Sequence, residues 1–295
     1  GVAYSTADER HLLNVPADGM SAHPDDSGHF LSWLRRKHPR AESSTFAARS
    51  SYGRYLHDTL CAAVAAAPAV TIEHVRGRVA ALDATSSGVT AQMTDGVVRE
   101  AQAAVLAPGV QPPGIDWAPA ALRSCPRFVA DPWAPGALDQ IKADEDAQAV
   151  LLVGTGLTAV DEALAADRPG RVLHAISRRG ALPRSHSRRA AAPAPPEVLR
   201  FQHEIRARVR SAPPTAEALA AQVSDALSES TDRHGDWRWG LDALRPLTQD
   251  LWARLPTAEK AELLATTGAW WDVHRHRMAP DAAAAVGRMR TAGRL

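Results

Sequence analysis

The stretch VLLVGTGLTAVDEAL, residues 150–164, decides which fold the sequence predicts. Its apolar opening is typical of a strand, and its second half has the apolar spacing of a helix. Gly154 and Gly156 lie between the two patterns, and the apolar run RVLHAIS, residues 171–177, follows them. We therefore expect a strand over 149–153, a helix over 156–166 and a second strand over 171–177, joined by a right-handed crossover.

The glycine turn has the spacing G-x-G-x-x-A, an accepted variant of the dinucleotide-binding fingerprint. Gly154 permits a tight turn, Gly156 lets the backbone approach a pyrophosphate, and Ala159 allows close packing of helix and strand. The free N–H groups of the helix N-terminus then face the phosphates. The alternative is a purely structural glycine turn. The residues predicted to bind the cofactor here are Gly154, Thr155, Gly156, Leu157 and Thr158.

The residues after the second strand, Ser177, Arg178 and Arg179, indicate which nicotinamide cofactor binds. A carboxylate at this place would accept hydrogen bonds from a ribose 2′-hydroxyl, and none is present. Two guanidinium groups would instead gain charge-assisted hydrogen bonds to a 2′-phosphate, roughly 1.5–3 kcal/mol each. The sequence therefore favours NADP over NAD, unless the arginines are only solvated surface charges. Three further arginines are less specific candidates for the same phosphate: Arg184, Arg188 and Arg189.

The composition is that of an ordinary globular chain. Its 295 residues are 45% hydrophobic and 23% charged, which leaves room for two domains. The net charge of +1 gives no reason to expect a nucleic-acid or membrane partner. Cys61 and Cys125 lie too far apart for a local CxxC pair. No signal-peptide pattern opens the chain, so the expected location is cytoplasmic.

The rest of the chain divides into three predicted regions. Helices are expected over 28–36 and 50–68, and short antiparallel strands over 70–100. The run Ala103–Ala107 reads as a buried strand that ends at Pro108 and Gly109. From about residue 197 the chain is mostly helical. We predict domains over 1–112, 113–190 and 191–295.

Six segments together resemble a known family. They are GVAYSTADERHLLNVPADGMSAHPDDSGHFLSWL (1–34), YGRYL (52–56), AAVLAPG (103–109), VLLVGTGLTAVDEAL (150–164), HAISRRGALPRSH (174–186) and WWDVHRHRMAP (270–280). In these segments the chain resembles the bacterial FAD/NAD(P)-binding protein family, flavoproteins with two dinucleotide-binding domains. This family is distantly similar to flavin-containing and N-hydroxylating monooxygenases.

The resemblance implies an α/β fold of FAD/NAD(P)-binding, Rossmann-like architecture. A small antiparallel β-meander and a helical C-terminal region would accompany it. The cofactors implied are FAD and NADP. The family's FAD domain opens with its own glycine fingerprint before the counterpart of Gly1, and the sequence does not contain that motif. The resemblance therefore implies that the chain is a central fragment of a longer flavoprotein.

The resemblance also implies a flavin side of the site, lined by Leu12, Leu13, Asn14, Val15 and Pro16. Asn14 is the polar member suited to a hydrogen bond with the flavin edge or the substrate. Alternatively, Asn14 and Pro16 only shape a turn. Three further residues complete this set: Arg49 and Tyr52, which would support the site, and Gly109, near the crossover between FAD and NADPH.

The function implied is an oxidoreductase in which NADPH reduces bound FAD, with a monooxygenase as one form of it. The electron acceptor would be a small-molecule substrate or O₂. Hydride transfer needs no acid–base residue, so the sequence designates no catalytic side chain. The alternative is a non-catalytic NADP(H)-binding module or an incomplete flavoprotein fragment.

Two other patterns favour a structural role over a functional one. His274 and His276 would point about 200° apart on a helix, so they could not share a metal ion there. The tryptophans and arginines of DRHGDWRWGLDALRP, residues 232–246, could stack on a nucleic acid, but packing in a helical domain explains them better. We expect no metal site and no nucleic-acid partner.

Overall fold

The structure is a computed structural model that describes residues 2–109, 111–188 and 194–295, and it contains two compact units. The first, here called the meander unit, comprises Leu56–Asp131. The second, the main unit, comprises Val2–Tyr55 and Pro132–Leu295. The domain limits at 112 and 190 stay a prediction.

The meander unit contains one antiparallel sheet of three strands. These are β1 (Val79–Thr85), β2 (Gly88–Met93) and β3 (Val98–Ala101), in the order β1-β2-β3. The second turn is closed by the Asp95 carboxylate, which accepts a 3.0 Å hydrogen bond from the Val97 N–H. The predicted β-meander is confirmed, although its first strand begins at Val79 and not at residue 70.

The predicted buried strand at Ala103–Ala107 is wrong. This segment pairs with no described strand, and its side chains are open to solvent: Val105 is 92% exposed and Leu106 75%. The prediction rested on apolar composition alone. A short apolar run predicts burial only if a partner surface exists, and local sequence carries no information about that partner.

Helices form most of the rest of the chain. Those that precede the parallel strands are α1 (His29–Arg35), α2 (Arg49–Ala66), α3 (Ala120–Arg123) and α4 (Asp139–Ala143). Those that follow the first parallel strand are α5 (Leu157–Ala166), α6 (Pro196–Ser211), α7 (Ala216–His234), α8 (Arg238–Leu244), α9 (Thr248–Arg254), α10 (Thr257–Leu263), α11 (Ala269–Arg275) and α12 (Pro280–Thr291). A π-helical turn, Leu264–Gly268, joins α10 to α11. Within the described ranges, no helix is long and apolar enough to span a membrane.

The strand-helix-strand unit predicted from the glycine segment is present in the main unit. Strands β4 (Ala149–Val153) and β5 (Val172–Ile176) are parallel, with Ala149 opposite Val172, and α5 connects them. They form a two-stranded sheet in the described part of the chain. One face packs on α5, whereas the other carries exposed apolar side chains such as Leu151 (58% exposed) and Ile176 (50%).

The core of the main unit is built around α5. Val160, Ala163 and Leu164 pack against Leu173 of β5 and Val286 of α12. Every residue from 160 to 166 is buried, because neighbours cover this helix on all sides. A helix that is buried all round is held by packing more than by its own propensity.

The helical C-terminal region has its own core, in which α7 and α8 approach very closely. The closest point is Gly240, where a Cβ atom would lie 2.1 Å from the Ala226 carbonyl oxygen. The Gly240 N–H donates to the Ser230 hydroxyl, which donates in turn to the Asp236 carbonyl. The predicted helical C-terminal region is therefore confirmed.

Arg171 joins the loop before β4 to the end of α5. Its side chain is 1% exposed, and its guanidinium donates to the carbonyl groups of Ile141, Asp144, Ala147 and Ala166 at 2.8–3.1 Å. A buried guanidinium that satisfies four backbone acceptors is stabilising only while all of these bonds are made.

We expect Arg171→Ala to lower the free energy of unfolding by about 3 kcal/mol, because the buried carbonyl groups lose a charged donor. Urea unfolding followed by circular dichroism measures this change. Arg200→Ala is the matched control, since Arg200 is exposed and forms no hydrogen bond with a described residue. Equal free energies of unfolding of the two variants would show that the hydrogen bonds of Arg171 do not stabilise the fold.

Candidate functional site

The glycine turn leaves β4 in a conformation that requires glycine. Gly154 has φ +118°, a region that L side chains rarely adopt, and its N–H donates to the Ile176 carbonyl at 2.7 Å. Gly156 caps α5 with extended backbone, and a Cβ atom there would meet nothing within 4 Å. The space in front of the turn is therefore open to a ligand.

A chain of hydroxyl groups ties the turn to the end of β5. The buried Thr155 hydroxyl lies 2.6 Å from the Ala181 carbonyl and 2.8 Å from the Ser177 hydroxyl. A carbonyl only accepts, so Thr155 donates to Ala181, and Ser177 donates to Thr155. The Ser177 oxygen then accepts the Gly180 N–H at 3.0 Å. These hydrogen bonds fix the residues after β5 relative to the glycine turn.

The N-terminus of α5 carries N–H groups that the helix does not use. The first intrahelical bond runs from the Val160 N–H to the Gly156 carbonyl, and no side chain caps the helix. The N–H groups of Leu157, Thr158 and Ala159 therefore have no acceptor within the helix. Together with the helix dipole, they form an environment that favours an anion.

The two arginines after β5 have different environments. Arg178 is exposed and forms no hydrogen bond or ion pair with a described residue. Arg179 donates to the Ala265 carbonyl at 2.6 Å and to the Thr266 carbonyl at 3.5 Å, in the π-helical turn. Of the pair, Arg178 is thus the guanidinium that is available without breaking a contact.

Of the less specific candidates, Arg188 pairs with Asp281 at 3.3 Å on the surface. Arg184 is exposed, and its backbone bonds to Val273 and Met278. Arg189 lies outside the described residues.

An open pocket beside the first turn of α5 brings together residues from both predicted groups. Its polar lining is Asn14, Arg49 and Asp161, and Leu157 and Val160 contribute to its apolar wall. The pocket is small, with room for about one water molecule. The predicted flavin-side residues Asn14 and Arg49 therefore lie next to the helix that the fingerprint begins.

An ion pair forms the polar end of this pocket. Arg49 Nη2 lies 2.7 Å from Asp161 Oδ2, and Arg49 Nε donates to the Leu12 carbonyl at 3.1 Å. The contact to Asp161 is close but poorly aligned, because Oδ2 has no partner with hydrogen-bond geometry. The Trp133 ring lies against the Arg49 guanidinium at 5.4 Å.

A second buried carboxyl group, that of Glu162, lies beside the first. Burial raises the pKa of Asp161 to about 6, although the Arg49 charge opposes this shift. Burial, with a smaller contribution from the Asp161 charge, raises the pKa of Glu162 to about 7. Glu162 Oε2 is buried and has no hydrogen-bond partner. Ionisation of either carboxyl group therefore costs more free energy than it would in water.

Two histidines hold the loop that carries Asn14 and neighbouring residues. His186 Nε2 donates to the Asn14 carbonyl at 2.9 Å, and burial lowers the pKa of His186 to about 4. His11 Nε2 donates to the Asp161 carbonyl at 3.2 Å, and burial also lowers its pKa. Both imidazoles are thus neutral near pH 7, with the proton on Nε2, because each faces a carbonyl that can only accept.

Several predicted residues do not line the pocket. Tyr52 is buried against Tyr4 and Phe30, where it packs the core under α1. Pro16 precedes a 3₁₀ turn, and its carbonyl accepts the Gly19 N–H at 3.0 Å, which fits the turn-shaping alternative. Gly109 lies in the meander unit with φ +73°.

The histidines considered for metal binding have other surroundings. His274 is in α11, where its ring stacks on Trp270 at 4.1 Å and its Nδ1 donates to the Trp270 carbonyl. His276 follows the helix and lies 3.7 Å from Asp272. Among the described residues, no group of three potential metal ligands comes together. Trp237, from the segment 232–246, also packs on His274, which fits the packing interpretation for this residue.

Asp161, Glu162 and His186 are not among the residues predicted from the sequence. Asp161 and Glu162 interrupt an otherwise apolar helix, in AVDEALAA, and this interruption indicates a polar site. A carboxyl pair on a helix that is expected to be buried requires a partner or a ligand. His186 carries no comparable signal, since its role depends on a contact 172 positions away along the chain.

The buried carboxyl groups predict a pH-dependent stability. A carboxyl whose folded pKa is raised stabilises the fold while it is protonated and loses that contribution as pH rises through the folded pKa. We expect the free energy of unfolding to fall between about pH 4.5 and 7. At pH 8, we expect the free energy of unfolding of Glu162→Gln to be higher than that of the native chain by on the order of 1–2 kcal/mol.

Urea unfolding at pH 4.5 and at pH 8 measures this effect. The variant should gain stability only at the higher pH, and the exposed control Glu9→Gln should follow the native chain at both. If Glu162→Gln changed the free energy of unfolding by the same amount at both pH values, the raised pKa of Glu162 would be contradicted.

Comparison with known proteins adds family information. The family model described as FAD-NAD(P)-binding matches residues 1–111. A search of curated proteins found no match. The matched segment contains Asn14 and Arg49 and ends before Gly154, so the glycine turn supports nucleotide binding independently of the match. The match over residues 1–111 supports an FAD/NAD(P)-binding family for this part of the chain, with FAD and NAD(P) as cofactors.

Proposed function

We propose that this chain is a flavin-dependent oxidoreductase that uses NADPH to reduce bound FAD. The observation that carries the proposal is the open glycine turn at the N-terminus of α5, with the unengaged Arg178 beyond the neighbouring strand. A Rossmann-like nucleotide-binding unit is supported by the parallel strand-helix-strand element, which presents this turn at the carboxyl ends of its strands.

The phosphates of NADPH would bind at the N-terminus of α5. The free N–H groups of Leu157, Thr158 and Ala159 point out of the helix end, and Gly156 leaves room for a pyrophosphate to approach. Gly154 supplies the left-handed turn that aims this helix end. The Thr155 hydroxyl would not contact the nucleotide, because it already forms hydrogen bonds with Ala181 and Ser177.

Arg178 would select NADPH through the 2′-phosphate. Its guanidinium can form charge-assisted, bidentate bonds to a phosphate, which the 2′-hydroxyl of NADH cannot receive. Arg179 would contribute only after it releases the Ala265 and Thr266 carbonyls. Ser177 positions both arginines through its bonds to Thr155 and Gly180.

The flavin side would be formed by Asn14 and Arg49, which line the pocket beside α5. When bound, NADPH and FAD supply the hydride donor and acceptor, so the chain itself needs no acid–base catalyst for that step. The contribution of the chain is to place the two rings together and to exclude water with the apolar wall around Val160. The final electron acceptor would be O₂, as in a monooxygenase, or another small molecule.

We expect Arg178→Ala to weaken NADPH binding about tenfold or more, because it removes at least one charge-assisted hydrogen bond. NADH binding should not change. Isothermal titration calorimetry with both nucleotides measures the two affinities, and Arg210→Ala, an exposed arginine of α6, is the control. An equal loss for NADPH and NADH, or no loss for either, would exclude the role of Arg178.

Flavin reduction tests the enzymatic part of the proposal. The chain mixed with FAD and NADPH without oxygen should bleach the visible flavin absorbance faster than the two cofactors alone. If the chain binds NADPH but neither binds flavin nor accelerates the bleaching, a non-catalytic NADP(H)-binding module is favoured instead.

A further inference from the structure

A cluster of arginines lies where the end of α11 meets α8, and the proposed function does not use it. Arg238, Asp242 and Arg245 stand at the i, i+4 and i+7 positions, so they share one face of α8 and its last turn. Arg275 is the last residue of α11, and Arg277 follows two positions later. The Arg277 guanidinium donates to the Asp242 carboxylate at 2.5 Å, and this contact joins the two segments.

Two of the four guanidinium groups are held by other side chains. Arg277 is 3% exposed, pairs with Asp242 and lies 5.8 Å from the Trp237 ring. Arg238 pairs with Asp236 at 2.9 Å and lies 4.7 Å from the same ring. Each of these arginines therefore has a carboxylate partner, and neither carboxylate is left over for the rest of the cluster.

The guanidinium groups of Arg245 and Arg275 have no such partner. Neither side chain forms a hydrogen bond or ion pair with a residue in the described ranges. Arg275 is half-buried: burial lowers its pKa, and the charges of Arg245 and Arg277 lower it further, against the opposing charge of Asp242. Arg275 thus lies among like charges whose nearest carboxylate is already paired.

We propose that Arg245 and Arg275 bind the phosphate or carboxylate group of a small molecule. A guanidinium can donate two parallel N–H bonds to the oxygens of such a group, and the bound anion would offset the repulsion between the arginines. The anion reaches the site from solvent, because Arg245 is exposed and Arg275 is half-buried, so no enclosed cavity is needed. Two sources carry this chemistry: the phosphate of a nucleotide and the carboxylate of an acidic substrate.

A merely solvated group of arginines makes a different prediction. Solvated surface charges are screened according to ionic strength, so chloride and phosphate at equal ionic strength would affect them alike. A binding site responds to the geometry of the oxyanion as well as to its charge. Arg277 acts on this site through its charge alone, since its Nε is buried and out of reach of a ligand.

The experiment measures the midpoint of thermal unfolding with inorganic phosphate, succinate or chloride at equal ionic strength. An anion that binds the folded chain raises this midpoint as its concentration rises. We expect phosphate or succinate to raise it more than chloride does. Arg245→Gln and Arg275→Gln should each weaken the apparent affinity about tenfold, because each removes a charge-assisted contact. Arg210→Gln, which changes an exposed arginine of α6, should respond like the native chain.

The probe that responds separates the two sources. A variant-dependent loss for phosphate alone assigns the site to a phosphorylated compound, and a loss for succinate alone assigns it to a carboxylate; a loss for both supports the shared oxyanion chemistry. An equal rise in all variants means that the anions act only by exclusion from the protein surface. No rise beyond that with chloride means that the arginines are only solvated, and either of these last two results overturns the inference.

Arg178→Ala is measured alongside, because the proposed nucleotide site also attracts phosphate. If the response to phosphate disappears in Arg178→Ala and persists in Arg275→Gln, the anion occupies the nucleotide site and the inference fails. A loss in Arg275→Gln but not in Arg178→Ala supports it. Neither result requires NADPH to bind, so failure of the proposed function stays distinguishable from failure of this site.

Arg245→Gln also covers the case in which Arg275→Gln fails to fold, since Arg245 is exposed. In chloride, this variant should unfold at a temperature no lower than the native chain, because it removes a repulsion. A lower midpoint would show that Arg245 holds the fold, and it would contradict the unbalanced charge on which the anion site rests.

Discussion

The complete burial of α5 is the constraint on which the rest of the main unit depends. Because residues 160–166 are buried, the sheet, α12 and the loop around His11 are all held against this one helix. The same burial leaves the N-terminal end as the part of the helix that a ligand can reach. It also encloses Asp161 and Glu162, which explains why both carboxyl groups resist ionisation.

The local elements could be predicted from the sequence because their signals are local. The turn needs a residue with positive φ, and Gly154 supplies it. The apolar run of β4 precedes this turn, and the apolar patterns of α5 and β5 follow it. The β-meander was predictable for the same reason, since turn residues separate its strands. The conformation of Ala103–Ala107 could not be predicted, because its apolar composition indicates burial but does not show whether any surface of the protein covers it.

The candidate site was predictable only in part. The fingerprint and Arg178 follow from spacing, and Asn14 and Arg49 follow from the family resemblance. The sequence does not reveal that these two groups meet at one pocket, because contacts such as His186 with Asn14 join distant positions. It also does not separate Arg178 from Arg179: the π-helical turn that engages Arg179 lies more than eighty residues away.

The central claim is that the N-terminus of α5 holds the phosphates of NADPH. Amide hydrogen exchange, with and without saturating NADPH, tests it most directly. We expect slower exchange at Gly156–Ala159 and at the residues after β5, near Arg178, when NADPH is bound. Binding of NADPH that leaves the exchange of both segments unchanged would contradict it.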